Sequence, residues 1–172
     1  RLTKGIDALG ADEKGEAGPT NANTRILGDP QAWIAGMNFF GSYLVTPRDS
    51  AQLFLRAQAS DAILLSSDMF SVGGYNNVRG FEPAISSGDH GATASFEWVH
   101  NFPNQGNWTI NAGPFYDYGS VGNRVQAVTG TDATLNSAGL GFDATYNANS
   151  KYSSKIRIDW AHTLGDYQNT RV

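Results

Sequence analysis

In Ala92-Thr93-Ala94-Ser95-Phe96-Glu97-Trp98-Val99-His100-Asn101-Phe102 every second residue changes character. Ala94, Phe96, Trp98, His100 and Phe102 fall on one side of an extended chain, and Thr93, Ser95, Glu97, Val99 and Asn101 on the other, because successive Cβ atoms in a strand point to opposite faces. A helix would scatter both sets around its axis. The stretch therefore predicts a strand with one apolar, aromatic-ended face and one polar face.

The same code continues on both sides. After Pro103-Asn104-Gln105-Gly106-Asn107, a turn by composition, Trp108, Ile110, Ala112, Pro114 and Tyr116 oppose Thr109, Asn111, Gly113, Phe115 and Asp117, which makes a hairpin. Downstream, Ala138, Leu140, Phe142, Ala144 and Tyr146 alternate with Gly139, Gly141, Asp143, Thr145 and Asn147. Beyond Asn149-Ser150, Ile156, Ile158, Trp160, His162 and Leu164 alternate with Lys155, Arg157, Asp159, Ala161 and Thr163. Upstream, Trp33, Ala35, Met37, Phe39, Gly41, Tyr43 and Val45 share a face, Thr46-Pro47-Arg48-Asp49-Ser50 turns the chain, and Leu53, Leu55, Ala57 and Ala59 continue it. Residues 1–8 read as the end of a further strand, followed by a polar loop from about 10 to 30. The count is about seven strands.

The connections alternate in length: short near 47, 104 and 149, long near 10–30, 62–91 and 118–136. Transmembrane β-barrels have this asymmetry, together with an apolar outer face, a polar interior and aromatic girdles at the two interfaces. Trp33, Trp98, Phe102, Trp108, Tyr146 and Trp160 sit near strand ends as a girdle would. On the opposite face, Glu97, Asp117, Asp143, Arg157 and Asp159 fit a wet lumen. A soluble antiparallel sandwich, with the apolar face as its core, is the rival architecture. Single-chain bacterial barrels close with an even strand number, and an open sheet exposes edges prone to self-association. The expectation is an antiparallel transmembrane β-barrel of which this chain is a fragment.

Composition narrows the function. The 172 residues carry 40% apolar and only 16% charged side chains, with 20 glycines and a net charge of -4. Scattered basic residues leave no electrostatic footprint for nucleic acid. No cysteine is present, which excludes thiolate metal sites, a Cys nucleophile and disulfide staples. No run approaches the roughly 18 apolar residues of a membrane helix.

The richest segment is Ser66-Ser67-Asp68-Met69-Phe70-Ser71-Val72-Gly73-Gly74-Tyr75-Asn76-Asn77-Val78-Arg79-Gly80-Phe81-Glu82, followed by Ser87-Gly88-Asp89-His90-Gly91. Phe-Ser-Val-Gly-Gly leading into Val-Arg-Gly-Phe, then Gly-Asp-x-Gly, and then Phe115-Tyr116-Asp117-Tyr118-Gly119, resembles the haemolysin secretion/activation transporters, the TpsB proteins of two-partner secretion. The resemblance spans most of residues 31–164. It implies a bacterial outer-membrane barrel of about sixteen strands, within the usual even range, preceded by POTRA domains. Residues 62–91 would be a long loop folded into the lumen, with Gly73, Gly74, Val78, Arg79, Gly80 and Phe81 as its motif and Gly88, Asp89 and Gly91 at its exit. The motif arginine of the family pairs with an inward aspartate, which carries over to Arg79 and Asp117, with Glu97 close by. A guanidinium in a confined space needs a carboxylate, and its planar fork can be held at two points. The implied function is export and activation of a large exoprotein of haemolysin or adhesin type, recognised through POTRA domains, with outer-membrane lipid around the barrel and no cofactor. The POTRA domains and the last strand are expected to lie outside this chain.

The same residues admit other readings. Glu97 and Asp117 could form a general acid/base pair, but two inward carboxylates beside an arginine fit a charge network better. Asp89-His90 lacks the Gly-x-Ser-x-Gly elbow of a hydrolase triad. His100 and His162 suit interfacial or packing roles, and no histidine pair has ligand spacing. Asn107-Trp108-Thr109 matches a glycosylation sequon within a predicted strand, and Val128 to Thr134 lacks the ordered oxygen spacing of a calcium loop. A porin, a barrel-assembly protein of the same superfamily and a carbohydrate-binding β-sandwich are the alternatives.

Overall fold

The structure is a computed structural model and describes residues 1–5, 25, 28–103, 106–124, 132–149 and 152–164. Its strands are β1 (Leu2–Lys4), β2 (Trp33–Leu44), β3 (Asp49–Ser60), β4 (Phe70–Val72), β5 (Ser86–Gly88), β6 (His90–Asn101), β7 (Trp108–Gly122), β8 (Ala133–Asn149) and β9 (Tyr152–Thr163). Seven of them form one sheet in the order β1-β2-β3-β6-β7-β8-β9, and every pairing is antiparallel. The hairpins read from alternation are β2–β3, β6–β7 and β8–β9. Among the described residues β1 and β9 each have a neighbour on one side only.

The faces are inverted relative to a water-soluble sheet. On the apolar side Phe96, Leu140 and Ile158 are 45%, 58% and 62% exposed, while on the polar side Thr93, Glu97 and Asp117 are 8%, 7% and 0% exposed. No second sheet covers the apolar side among the described residues, as a sandwich would require. So large an apolar surface calls for a partner or a bilayer. The strand lengths suit the bilayer: 12 residues in β2, β3, β6 and β9 rise about 40 Å, or about 28 Å once tilted by about 45°, close to the hydrocarbon thickness.

Where strands outrun the sequence reading, the polarity of the faces has switched. The connection expected at 118–136 is shorter, because β7 runs on to Gly122 and β8 begins at Ala133. In these extensions Val121, Ala133 and Leu135 point to the otherwise polar face and pack there with Phe70, Val72 and Val78 of segment 62–91. Ser120, Thr134 and Asn136 take the opposite face. The switch breaks the phase of the alternation, so the stretch resembled a loop. Segment 62–91 also holds a hairpin of its own, β4–β5, which alternation did not reveal because each strand has only three residues. At the short turn, Thr46 Oγ1 donates to Asp49 Oδ2 (2.5 Å) and accepts from the Asp49 backbone N–H (3.0 Å), so β3 restarts at Asp49 inside the expected turn.

Of the girdle aromatics, Trp33, Phe102, Trp108, Tyr146 and Trp160 are exposed, whereas Trp98 is half-buried and its indole N–H reaches Asp49 Oδ1 at 3.3 Å. The same oxygen holds His100 Nδ1 at 2.8 Å. Most of the 10–30 loop, Asn104-Gln105, the Val128 to Thr131 part of the calcium candidate, Ser150 and Thr170-Arg171-Val172 lie outside the described residues.

Candidate functional site

Segment 62–91 crosses the polar face, and its own backbone chemistry presents Arg79. Gly73 and Gly74 have φ of +101° and +99°, and Gly80 has +88°, values that side-chain-bearing residues resist. These reversals create a tight turn in which the Gly74 N–H donates to the Val78 carbonyl at 3.1 Å. Asn77 Oδ1 accepts from the Gly73 and Val78 N–H groups, both at 2.7 Å. Val78 is fully buried in the small apolar cluster, and Phe81 and Ile85 pack against it. With Val78 pinned on one side, Arg79 is directed at the sheet.

The guanidinium of Arg79 meets β6, β7 and β9 together. Its Nε donates to Asp117 Oδ2 at 2.7 Å, its Nη2 to Asp117 Oδ1 at 2.7 Å, and its backbone N–H to Asp117 Oδ2 at 3.1 Å. Nη1 donates to Glu97 Oε1 and, at 3.4 Å, to Asp159 Oδ1. Ser95 Oγ accepts from Nη2 at 3.1 Å and donates to Asp117 Oδ1 at 2.6 Å. The plane lies over the Phe115 ring, 3.4 Å from its centroid, a stacking that suits guanidinium better than ammonium. Arg157 closes the network, donating to Glu97 Oε1 at 2.6 Å and to Asp159 Oδ1 at 2.9 Å. Two cations thus face three carboxylates. Burial works against the Arg79 charge, but the hydrogen bonds to Asp117 and Glu97 outweigh it and raise its pKa above the ordinary arginine value.

Of the residues singled out in the sequence, Arg79, Glu97 and Asp117 come together here, with Gly73, Gly74, Val78, Gly80 and Phe81 shaping the approach. Gly88, Asp89 and Gly91 do not join them; they form a separate cluster where the segment returns to β6. Sequence reasoning put Arg157 and Asp159 on the polar face by parity but did not connect them to Arg79, which requires the β6–β9 order. Ser95 also carried a parity signal. Among the described residues no group of His, Asp or Glu side chains is arranged to hold a metal ion.

A segment rich in glycine and carrying Val-Arg-Gly-Phe, anchored on the polar face of an inside-out antiparallel sheet, is an arrangement with a family attached. The family model described as haemolysin secretion/activation protein ShlB/FhaC/HecB matches residues 1–144. The chain belongs to this family. Its members are bacterial outer-membrane proteins that transport protein by two-partner secretion, and the sheet is part of a β-barrel of the TpsB type. ShlB/FhaC/HecB membership places the exposed apolar face against lipid and accounts for strands of membrane-spanning length. The family is one of secretion transporters rather than enzymes, and its members act on a secreted exoprotein. Searches of curated proteins and of solved structures returned no match.

Proposed function

We propose that residues 1–172 form the C-terminal part of the barrel of a two-partner secretion transporter that exports and activates a haemolysin- or adhesin-type exoprotein, with segment 62–91 folded into the lumen. The open sides of β1 and β9 then pair with the remaining strands. Recognition of the exoprotein belongs to POTRA domains, and the barrel supplies the path and its gate. The observation that carries this reading is the Arg79 to Asp117 contact, which ties the middle of a long segment to a strand facing the polar side. On this reading no reaction is catalysed: Glu97 and Asp117, the candidate acid/base pair, are both engaged by Arg79.

In the full-length transporter, Arg79→Ala and Asp117→Ala are expected to reduce secretion of the exoprotein and to expose segment 62–91 to protease while the barrel still inserts. Secretion and protease protection both unchanged in both variants would remove the anchoring role.

A further inference from the structure

The far end of segment 62–91 is held by a different carboxylate. Asp89 is fully buried. Its Oδ1 accepts from the Leu64 backbone N–H at 2.9 Å and from Arg25 Nη1 at 2.5 Å, and its Oδ2 accepts from the Arg124 backbone N–H at 3.0 Å. Arg25 in turn donates to the Leu64 carbonyl at 3.1 Å and to Asn123 Oδ1 at 3.0 Å. Arg124 Nε reaches the Ser60 carbonyl, the last of β3, at 3.1 Å. The backbones approach closely enough that a Cβ on Gly88 would lie 2.5 Å from the Gly122 carbonyl oxygen.

Leu64 lies where the chain leaves β3, and Asp89 where it enters β6. One side chain therefore joins both limbs of the segment, and Arg124 and Asn123 tie them to the end of β7. Among the described residues, the hydrogen bonds of Asp89 and those of Arg79 involve no common side chain. The chemistry asks for aspartate: three donors converge on two oxygens, and asparagine would turn an N–H donor toward one of them.

We propose that Asp89 is a positioning residue, the hub of a second clasp that holds the two limbs of segment 62–91 together at the rim of the sheet, independently of Arg79 and Asp117. The segment can then leave the polar face only when both clasps open. This rests on reading 62–91 as the lumenal segment of the transporter.

Residues 1–172 hold no cysteine, so in a full-length transporter with any other cysteine replaced, single introduced thiols report cleanly. Val72→Cys probes β4, whose partner strand β5 leads into Asp89, and Val78→Cys probes the motif; both valines are fully buried. In outer-membrane vesicles holding the full-length transporter, maleimide labelling at each position is measured with and without Asp89→Asn or Arg79→Ala. Asp89→Asn is expected to accelerate labelling at position 72 about tenfold, with position 78 changed less than about twofold. Arg79→Ala is expected to do the reverse, and the double variant to multiply the two effects. No acceleration at either position by Asp89→Asn, in protein that inserts normally, overturns the clasp. So does a double variant labelled at position 72 no faster than Arg79→Ala alone. If Asp89→Asn fails to insert, Arg25→Gln decides by the same criteria, with a smaller acceleration expected at position 72. Acceleration at 72 by Asp89→Asn combined with none at 78 by Arg79→Ala would leave the clasp standing and remove the Arg79 anchor instead.

Discussion

Arg79 binds Asp117, 38 residues further along the chain, through its guanidinium and its own backbone N–H, so that one carboxylate fixes both the side chain and the main chain of the motif. Asp117 is fully buried. Arg79→Ala therefore leaves a desolvated carboxylate without its partner, and the expected loss of local stability is about 3–5 kcal/mol. Arg79→Lys keeps the charge but loses the fork and the stacking on Phe115, and is expected to restore only part of that loss. Hydrogen exchange of segment 70–88 in the two variants checks the order: wild type slowest, lysine intermediate, alanine fastest. Lysine behaving as wild type would show that charge alone suffices.

Arg157 touches two of the same carboxylates from a more open position; its side chain is 27% exposed against 8% for Arg79. Glu97 and Asp159 keep Arg79 as a donor when Arg157 is removed. Arg157→Gln is accordingly expected to cost less than half of what Arg79→Ala costs, and the pair to be non-additive, since both act on one network. A double-mutant cycle on the same exchange readout measures the coupling. Additive costs would mean that the two arginines serve separate ends.

Much of this was legible from residues 92–117, where a strict period of two placed Glu97 and Asp117 on one face and Phe96 and Trp98 on the other. The period follows from backbone geometry and survives any tertiary context that keeps one face in lipid. It failed at Val121, Ala133 and Leu135, where segment 62–91 supplies an apolar lining and the faces exchange character. It also says nothing about Arg25, whose partners Leu64, Asp89 and Asn123 are 39, 64 and 98 residues away. Long-range ion pairs of this kind leave no periodic trace. Arg79 was found only because the motif around it resembles a family.

Ser137 stands opposite Asp117 in the β7–β8 register, and its Oγ is buried with no hydrogen-bond partner among the described residues. The reason is visible next door: both oxygens of Asp117 are already taken, by Arg79 and Ser95. Removing an unsatisfied hydroxyl sheds its desolvation penalty. Ser137→Ala is therefore expected to be neutral or to stabilise by up to about 1 kcal/mol, seen as an unchanged or higher denaturant midpoint. A clear loss would mean that the hydroxyl is occupied in the assembled protein.

The backbone turn at Gly73 offers a steric prediction with an internal control. A Cβ at Gly73 would lie 2.4 Å from the Glu82 carbonyl oxygen, whereas at Gly106, also at positive φ, nothing lies within 4 Å. Both substitutions to alanine pay for the backbone conformation, of order 1 kcal/mol, but only Gly73→Ala also displaces the returning limb. Labelling of a thiol at position 78 should rise in Gly73→Ala and stay at the wild-type rate in Gly106→Ala.

Acid should open the rim before it unfolds the sheet. Burial alone would raise the pKa of Asp89, but the N–H groups of Arg124 and Leu64 and the Arg25 guanidinium together bring it below the ordinary aspartate value. A carboxylate whose folded pKa is depressed stabilises the folded form fully above its unfolded value, near pH 4, and that stability is lost as pH falls through the lower, folded value. Exchange in segment 70–88, corrected for its intrinsic pH dependence, is thus expected to stay flat from neutrality to about pH 4 and to accelerate only below it. In Asp89→Asn the segment starts at a faster rate and the part of the acid response due to this side chain disappears, which separates it from the other carboxylates. An acid response identical in wild type and Asp89→Asn would show that protonation elsewhere governs the opening.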